Sequence, residues 1–322
     1  MLEIEYRNTK NNGLEILRCY GQDSMIDLPD MIHGKTVTKI GDYMFSAHKR
    51  KEDQNVSMVR IGDSFLNEDP AKMLCGNQVE NVFLPKEVEE IGRYVFYGCA
   101  NLKKIRFTDS LLRTGTGIFT GCKLQEIELD FYHGKKSALK DIVSDTRFPV
   151  KIQLKYHEAD EVKEAHLFFP EYYEEAVENT PARIIENYFN GTGYKYRQCF
   201  FRGEVDYQKY DALFMDAMAI ETKETVYQIV FGRLLYPLEL SDSARERYLK
   251  YVKEQQNDIV KYFIQEENMK ALQFMGNEKL WTKDCLDEAI DVAAKKQKTE
   301  ILSFLMNEKN QIFPKKKKTF EL

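Results

Sequence analysis

The chain has 322 residues, 43% of them hydrophobic and 31% charged, with a formal net charge of −5. That length can bury one large core or two moderate ones. The mildly acidic balance leaves no basic footprint for generic nucleic-acid binding, and no apolar run approaches the ~20 residues a membrane helix needs.

The first 21 residues hold acidic side chains and no continuous apolar region, so no secretory signal is expected there. Residues 1–45 read as an amino-terminal cap and first coil, with Leu14-Glu-Ile16-Leu17 as a starter strand. Ile26-Asp-Leu28-Pro29 echoes the later Val82-Phe-Leu84-Pro85, and Val37 to Phe45 echoes Val88 to Phe96. Asp30 to Lys35 lengthens the turn between these halves. Residues 46–78 read as a degraded coil, visible in Val59-Arg-Ile61-Gly62 and Phe65, preceded by a polar loop containing Lys49-Arg50-Lys51.

From Val79 to Leu129 the chain repeats itself. A slide of 23 residues puts Val82 on Ile105, Leu84 on Phe107, Gly92 on Gly115, Phe96 on Phe119 and Gly98-Cys99 on Gly121-Cys122. One residue is then missing, so Leu102 and Ile105 fall on Leu124 and Ile127 at a spacing of 22. A period in the twenties marks a leucine-rich solenoid. Each unit holds a short alternating strand, such as Ile105-Arg106-Phe107, with one side buried. Pro85 ends its ladder because proline has no donor, while Gly92 and Gly98 suit turns or close backbone approach. Val95, Phe96, Ile118 and Phe119 fill the opposite wall, since one repeat cannot bury its apolar face alone. Stacking puts Lys104 beside Glu126 and Arg106 beside Glu128 on the open sheet face, with Phe83 as an apolar edge. These five residues are the candidate interaction face.

The unit Ile91-Gly92-Arg-Tyr-Val95-Phe96-Tyr-Gly98-Cys99-Ala-Asn-Leu102-Lys-Lys-Ile105 resembles the BspA-like class of leucine-rich repeats, with the form IGxxAFxxCxxLxxIxLP. Thr114 departs from it where the unit has Ile. The resemblance implies a binding module without catalytic residues. Members of the class are often exported surface proteins, and the acidic amino terminus departs from that.

Phe131 to Lys155 reads as the closing coil, with a short helix over 137–143 and a strand over 149–154. Residues 156–205 form an aromatic-rich junction between repeat domains. There Thr180-Pro181 is a helix start, cap then proline, predicting a helix to about Phe189. Gly191-Thr-Gly193-Tyr194-Lys195-Tyr196-Arg197 reads as a structural turn or as a cradle for a phosphate or carboxylate. Its last four residues, Tyr194, Lys195, Tyr196 and Arg197, make a candidate junction groove.

From Asp206 to Phe313 apolar residues recur at spacings of three and four, predicting an all-α domain. Helices are expected over Tyr207–Ala219, Glu224–Leu235, Ala244–Glu266, Met269–Lys279 and Lys283–Asn310. Ser243-Ala-Arg-Glu246 reads as a capping box, and Thr282 as a cap stapled by Trp281 and Leu286. Val260 to Lys279 overlays Ile290 to Lys309 at an offset of 30. Paired helices of that period resemble divergent ankyrin-type repeats, without the T-P-L-H turn; a plain helical-hairpin stack fits equally. Residues 314–322 form a basic tail.

The six cysteines, at 19, 75, 99, 122, 199 and 285, lack C-x-x-C spacing; Cys99 and Cys122 occupy equivalent repeat positions. Cys99 and Cys122 read as small buried residues lining the stack, and in a reducing cytosol no disulfides are expected. The five histidines share no metal-ligand spacing, and no nucleophile elbow, Walker loop or dinucleotide fingerprint occurs. The expectation is an α/β leucine-rich-repeat solenoid over residues 1–155 and a helical-hairpin domain over 206–313. Its expected function is that of a cytoplasmic, non-catalytic, protein-binding module with no cofactor. An exported adhesin, or a sensor or enzyme using the Tyr/Arg-rich junction, are the rival readings.

Overall fold

Each copy of the repeat becomes one turn of a solenoid in the computed structural model, which describes residues 1–48, 53–62, 72–179 and 184–314. The chain opens with an antiparallel pair, β1 (Leu2–Asn8) and β2 (Leu14–Gly21). From β2 onward the coils lay strands into two sheets. The first coil adds β3 (Met25–Asp27), and β4 (Met31–Ile32) turns back on β5 (Lys35–Ile40) to open the second. That coil makes an excursion through β6 (Ser57–Ile61) and β7 (Lys72–Met73) before β8 (Asn81–Phe83) completes it. The third coil is β9 (Glu90–Ile91) and β10 (Lys104–Thr108), and the fourth is β11 (Arg113–Thr114) and β12 (Glu126–Phe131). In the fifth, helix α1 (Leu139–Ser144) takes the first strand's place and β13 (Val150–His157) supplies the second.

One sheet therefore runs β3-β8-β10-β12-β13, all parallel, and ends with β14 (Val162–Phe169) folded back antiparallel on β13. The other runs β11-β9-β5-β2 in parallel and continues antiparallel through β1 to β6. Val59-Arg-Ile61 is thus not a degraded coil, because β6 lies outside the cap strand. The physical reason is that the second coil is already complete without it: the Phe45 ring stacks directly on Phe96 of the next coil, centroids 5.3 Å apart. Phe65 and Lys49-Arg50-Lys51 lie outside the described residues.

The core follows the repeat. Ile26, Val82, Ile105, Ile127 and Ile152 pair rung to rung and are all buried. Each such side chain contributes roughly 1.5–3 kcal/mol on burial. On the opposite wall Phe45, Phe96 and Phe119 stack with centroids 5.3 and 5.4 Å apart. The equivalent cysteines do more than fill space. Cys99 donates its thiol to the Phe45 carbonyl at 3.3 Å, and Cys122 donates to that of Phe96 at 2.9 Å, tying each coil to the one before. Gly115 is required for the coils to nest: a Cβ there would sit 2.5 Å from the Arg93 amide nitrogen.

Among the described residues the helix expected from Pro181 is absent. Residues Tyr173–Asn179 (β15) and Ile184–Asn190 (β16) form an antiparallel hairpin, and Thr180 to Arg183 lie outside the described residues. Ile184, Ile185, Tyr188 and Phe189 are β-branched or aromatic, and cross-strand pairing outweighs a helix too short to stand alone. Then come α2 (Gly193–Tyr196), the pair β17 (Phe200–Phe201) and β18 (Glu204–Val205), α3 (Tyr207–Ala212) and α4 (Phe214–Ile220). The Tyr210 hydroxyl accepts from the Phe168 amide and donates to its carbonyl, both at 2.9 Å, which closes the outer edge of β14 there. These elements complete the first of two compact units, residues 1–221.

The second unit, residues 222–322, is helical where described. It holds α5 (Lys223–Leu235), α6 (Asp242–Glu254), α7 (Gln256–Gln265), α8 (Met269–Asn277), α9 (Lys283–Lys295) and α10 (Thr299–Ile312). The expected helix over 244–266 divides at Gln255, whose φ of −110° and ψ of 15° leave the helical range. The break lets the apolar stripe of α7 turn towards α8 and α9. Ser241, not Ser243, caps α6 by accepting the Ala244 amide at 3.3 Å. Thr282 caps α9 by accepting the Cys285 amide at 3.3 Å, with Trp281 and Leu286 both buried.

Candidate interaction surface

On β8, β10, β12 and β13 alternate residues face away from the core. Backbone pairing sets Asn81, Lys104, Glu126 and Lys151 in one row, and Asp27, Phe83, Arg106, Glu128 and Gln153 in the next. The expected neighbours Lys104–Glu126 and Arg106–Glu128 are register partners. The ion pairs are distributed differently. Lys104 binds both carboxylates, Glu126 at 2.9 Å and Glu128 at 2.5 Å, and the Gln153 amide donates to Glu126 at 2.9 Å. Burial lowers the Lys104 pKa, but the hydrogen bonds to Glu128 and Glu126 outweigh it and leave the ammonium above its ordinary value. Arg106 turns the other way, over the Phe83 ring at 4.5 Å and towards Asp27 at 4.0 Å. Phe83 is therefore half-buried under a guanidinium and is no bare apolar edge.

Beside this row lies a concavity of about 660 Å³, lined by Asp27, Lys86, Arg106, Glu128, Asp130 and Lys155 among others. Its far end is built by Tyr132, which stacks on His157 with centroids 4.3 Å apart, while His157 meets Asp130 at 2.7 Å. Sequence reading did not single out Asp27, Lys86 or Lys155. Asp27 was within reach, since laying Ile26-Asp-Leu28-Pro29 on Val82-Phe-Leu84-Pro85 puts it in the place of Phe83.

The junction residues do not make a common groove. Tyr196 and Arg197 are buried, and the Arg197 guanidinium donates to five carbonyls: Val143, Thr146, Phe148, Pro170 and Gly193, at 2.6–3.1 Å. Burial pushes its pKa down to about 10. Tyr194 stacks on Phe189 at 3.9 Å, and Lys195 pairs with Asp216 at 2.6 Å. The two glycines serve the backbone and not a phosphate: a Cβ on Gly193 would sit 2.1 Å from the Pro170 carbonyl oxygen. Arg197 is a clamp on the loops around it. Among the described residues no group of three or more His, Cys, Asp or Glu could hold a metal, and no helix is long and apolar enough to cross a membrane.

Residues 70–145 match the family model of the BspA type leucine rich repeat region, in six copies. The coils within residues 70–145 are BspA-type leucine-rich repeats. A solved structure described as a leucine rich cell surface protein from Faecalibacterium prausnitzii A2-165 shares 20% identity over 42% of this chain, with a TM-score of 0.23. The match spans 29% of that protein's chain. No curated protein matches. The residues that define the BspA-type unit, Ile91, Gly92, Phe96, Cys99, Leu102 and Ile105, are all buried here. The family match thus describes the scaffold, and the outward Lys104, Arg106, Glu126 and Glu128 are not among those buried residues.

Proposed function

We propose that the protein is a non-catalytic interaction module that binds a protein partner through the outward face of its six-stranded sheet. The observation that carries this reading is the rung register. It holds Lys104, Glu126, Glu128 and Gln153 in a fixed hydrogen-bonded array beside a 660 Å³ concavity. Such preorganisation lowers the ordering cost of association, and a family of interaction-type repeats supports it. The net charge of −5 argues against nucleic acid as the partner. All six cysteines are free thiols and five are buried, which fits a reducing, cytoplasmic setting.

Reversing Lys104 would crowd three carboxylates together, so the exposed face positions Met25 and Lys151 give the cleaner test. In affinity capture from source cells, the Met25→Arg plus Lys151→Glu variant should lose the partner that the parent retains, with an unchanged melting curve. Equal capture by both proteins would remove this face from consideration.

A further inference from the structure

Most charges on the ladder are engaged. Lys104 holds Glu126 and Glu128, Asp130 meets His157 at 2.7 Å, and Asp30 accepts the Lys86 amide at 2.8 Å. Arg106 stands apart. Its guanidinium lies over Phe83 and comes no closer than 4.0 Å to a carboxylate, that of Asp27; it makes no hydrogen bond to the described residues. Lys155 lines the same concavity, half-buried, and has no ion pair among the described residues. A cation held in place, half out of water and lacking a hydrogen-bonding partner, is a site with unused donors.

The chemistry of those donors is specific. A guanidinium lying on an aromatic ring keeps its planar edge of N–H groups open, and the two oxygens of a carboxylate match that edge. Phe83 and the rung register fix the fork before any ligand arrives. Lys155 stands two rungs away and two residues further along, in the row of Asp130, so roughly 12 Å off at ~4.8 Å per rung and ~3.3 Å per residue, about the span of three to four residues of extended peptide. The acidic side chains in the concavity set the selectivity. Glu128 and Asp130 are already bound, whereas Asp27 is exposed and disfavours a dense run of negative charge.

We propose that Arg106 reads a single carboxylate in this concavity. Its occupant is an extended, sparsely acidic segment of a partner protein, laid obliquely across the rungs, with a second acidic residue three or four positions on reaching Lys155. This deepens the sheet-face reading above and rests on it.

The test is selection of a phage-displayed random decapeptide library on the full chain, followed by fluorescence polarisation of the enriched peptide. The comparison proteins are Arg106→Gln, Arg106→Lys and the Met25→Arg plus Lys151→Glu variant, each checked for an unchanged melting curve. The expected result is Asp or Glu fixed at one position. Arg106→Gln should weaken binding at least about tenfold, as for loss of a charge-assisted hydrogen bond, and Arg106→Lys should restore only part. Enriched peptides without an acid overturn the carboxylate proposal. So does binding that survives Arg106→Gln yet is lost in the Met25/Lys151 variant, although that outcome leaves the sheet face standing. Binding unchanged in every variant overturns both readings, and absence of any enriched peptide overturns the peptide proposal.

Discussion

A buried guanidinium without a carboxylate must find its acceptors elsewhere, and Arg18 and Arg197 both use backbone carbonyls. Arg18 points one nitrogen at the carbonyls of Tyr43, Met44 and Ser46, at 2.5–2.8 Å, and so ties the first coil to the bend of the second. Arg197 gathers five carbonyls from α1, the α1–β13 connection, the residue after β14 and α2. In both cases burial pulls the pKa below the ordinary value, yet the group stays charged at neutral pH. Carbonyls facing inward at loop ends have no helix or ladder to satisfy them, and each orphan costs roughly 1–3 kcal/mol. Arg197→Met keeps an unbranched apolar stem and removes the donors. It should destabilise the first unit by about 3–5 kcal/mol, read as a drop in the urea midpoint. A loss below about 1 kcal/mol would mean that the carbonyls are satisfied without the guanidinium.

At the level of elements, what was legible was whatever recurs. Rung positions and the Phe45–Phe96–Phe119 stack recur within the repeated motif, and the helix stripes recur at spacings of three and four, so repetition exposes them. The β15–β16 hairpin and the insertion in the second coil occur once, and only tertiary pairing decides between strand and helix there. The candidate site was half legible for the same reason. Register predicted which residues neighbour one another, but not that Lys104 would take both glutamates while Arg106 turned to Phe83. Repetition exposes a further detail in the second unit. The α7–α8 and α9–α10 turns place Glu267 and Gln297, thirty residues apart, at φ of 55° and 57°. Side chains there are strained, and glycine is not. Glu267 also pairs with Lys298, so Gln297 is the cleaner position. Gln297→Gly should raise the stability of the helical unit by about 0.5–1 kcal/mol in urea unfolding followed by circular dichroism. Gln297→Ala should not. A gain from alanine, or a loss from glycine, would show that helix propensity and not backbone strain governs that turn.

Across the whole molecule the buried thiols impose a pH dependence that no single coil reveals. Burial raises Cys99, Cys122, Cys199 and Cys285 from the ordinary 9.0 to about 12, and raises Cys19 as well. For an acid whose folded pKa is raised, the unfolded chain loses its proton first. The stabilisation is therefore complete below pH 9 and is lost as pH climbs towards 12. Each thiol contributes a limiting slope of about 1.4 kcal/mol per pH unit. Four of the five lie in the first unit and only Cys285 in the second, so alkali should weaken the repeats well before the helices. Tyrosines with raised pKa values, among them the half-buried Tyr20 at about 12, add to the loss only above pH 10. Urea midpoints of the full chain between pH 8.5 and 9.5 isolate the thiols. There Cys122→Ala, though less stable for want of its bond to Phe96, should show a shallower decline with pH than the parent. Parallel declines would mean that Cys122 ionises alike in both states, and that the coil around it is open to water.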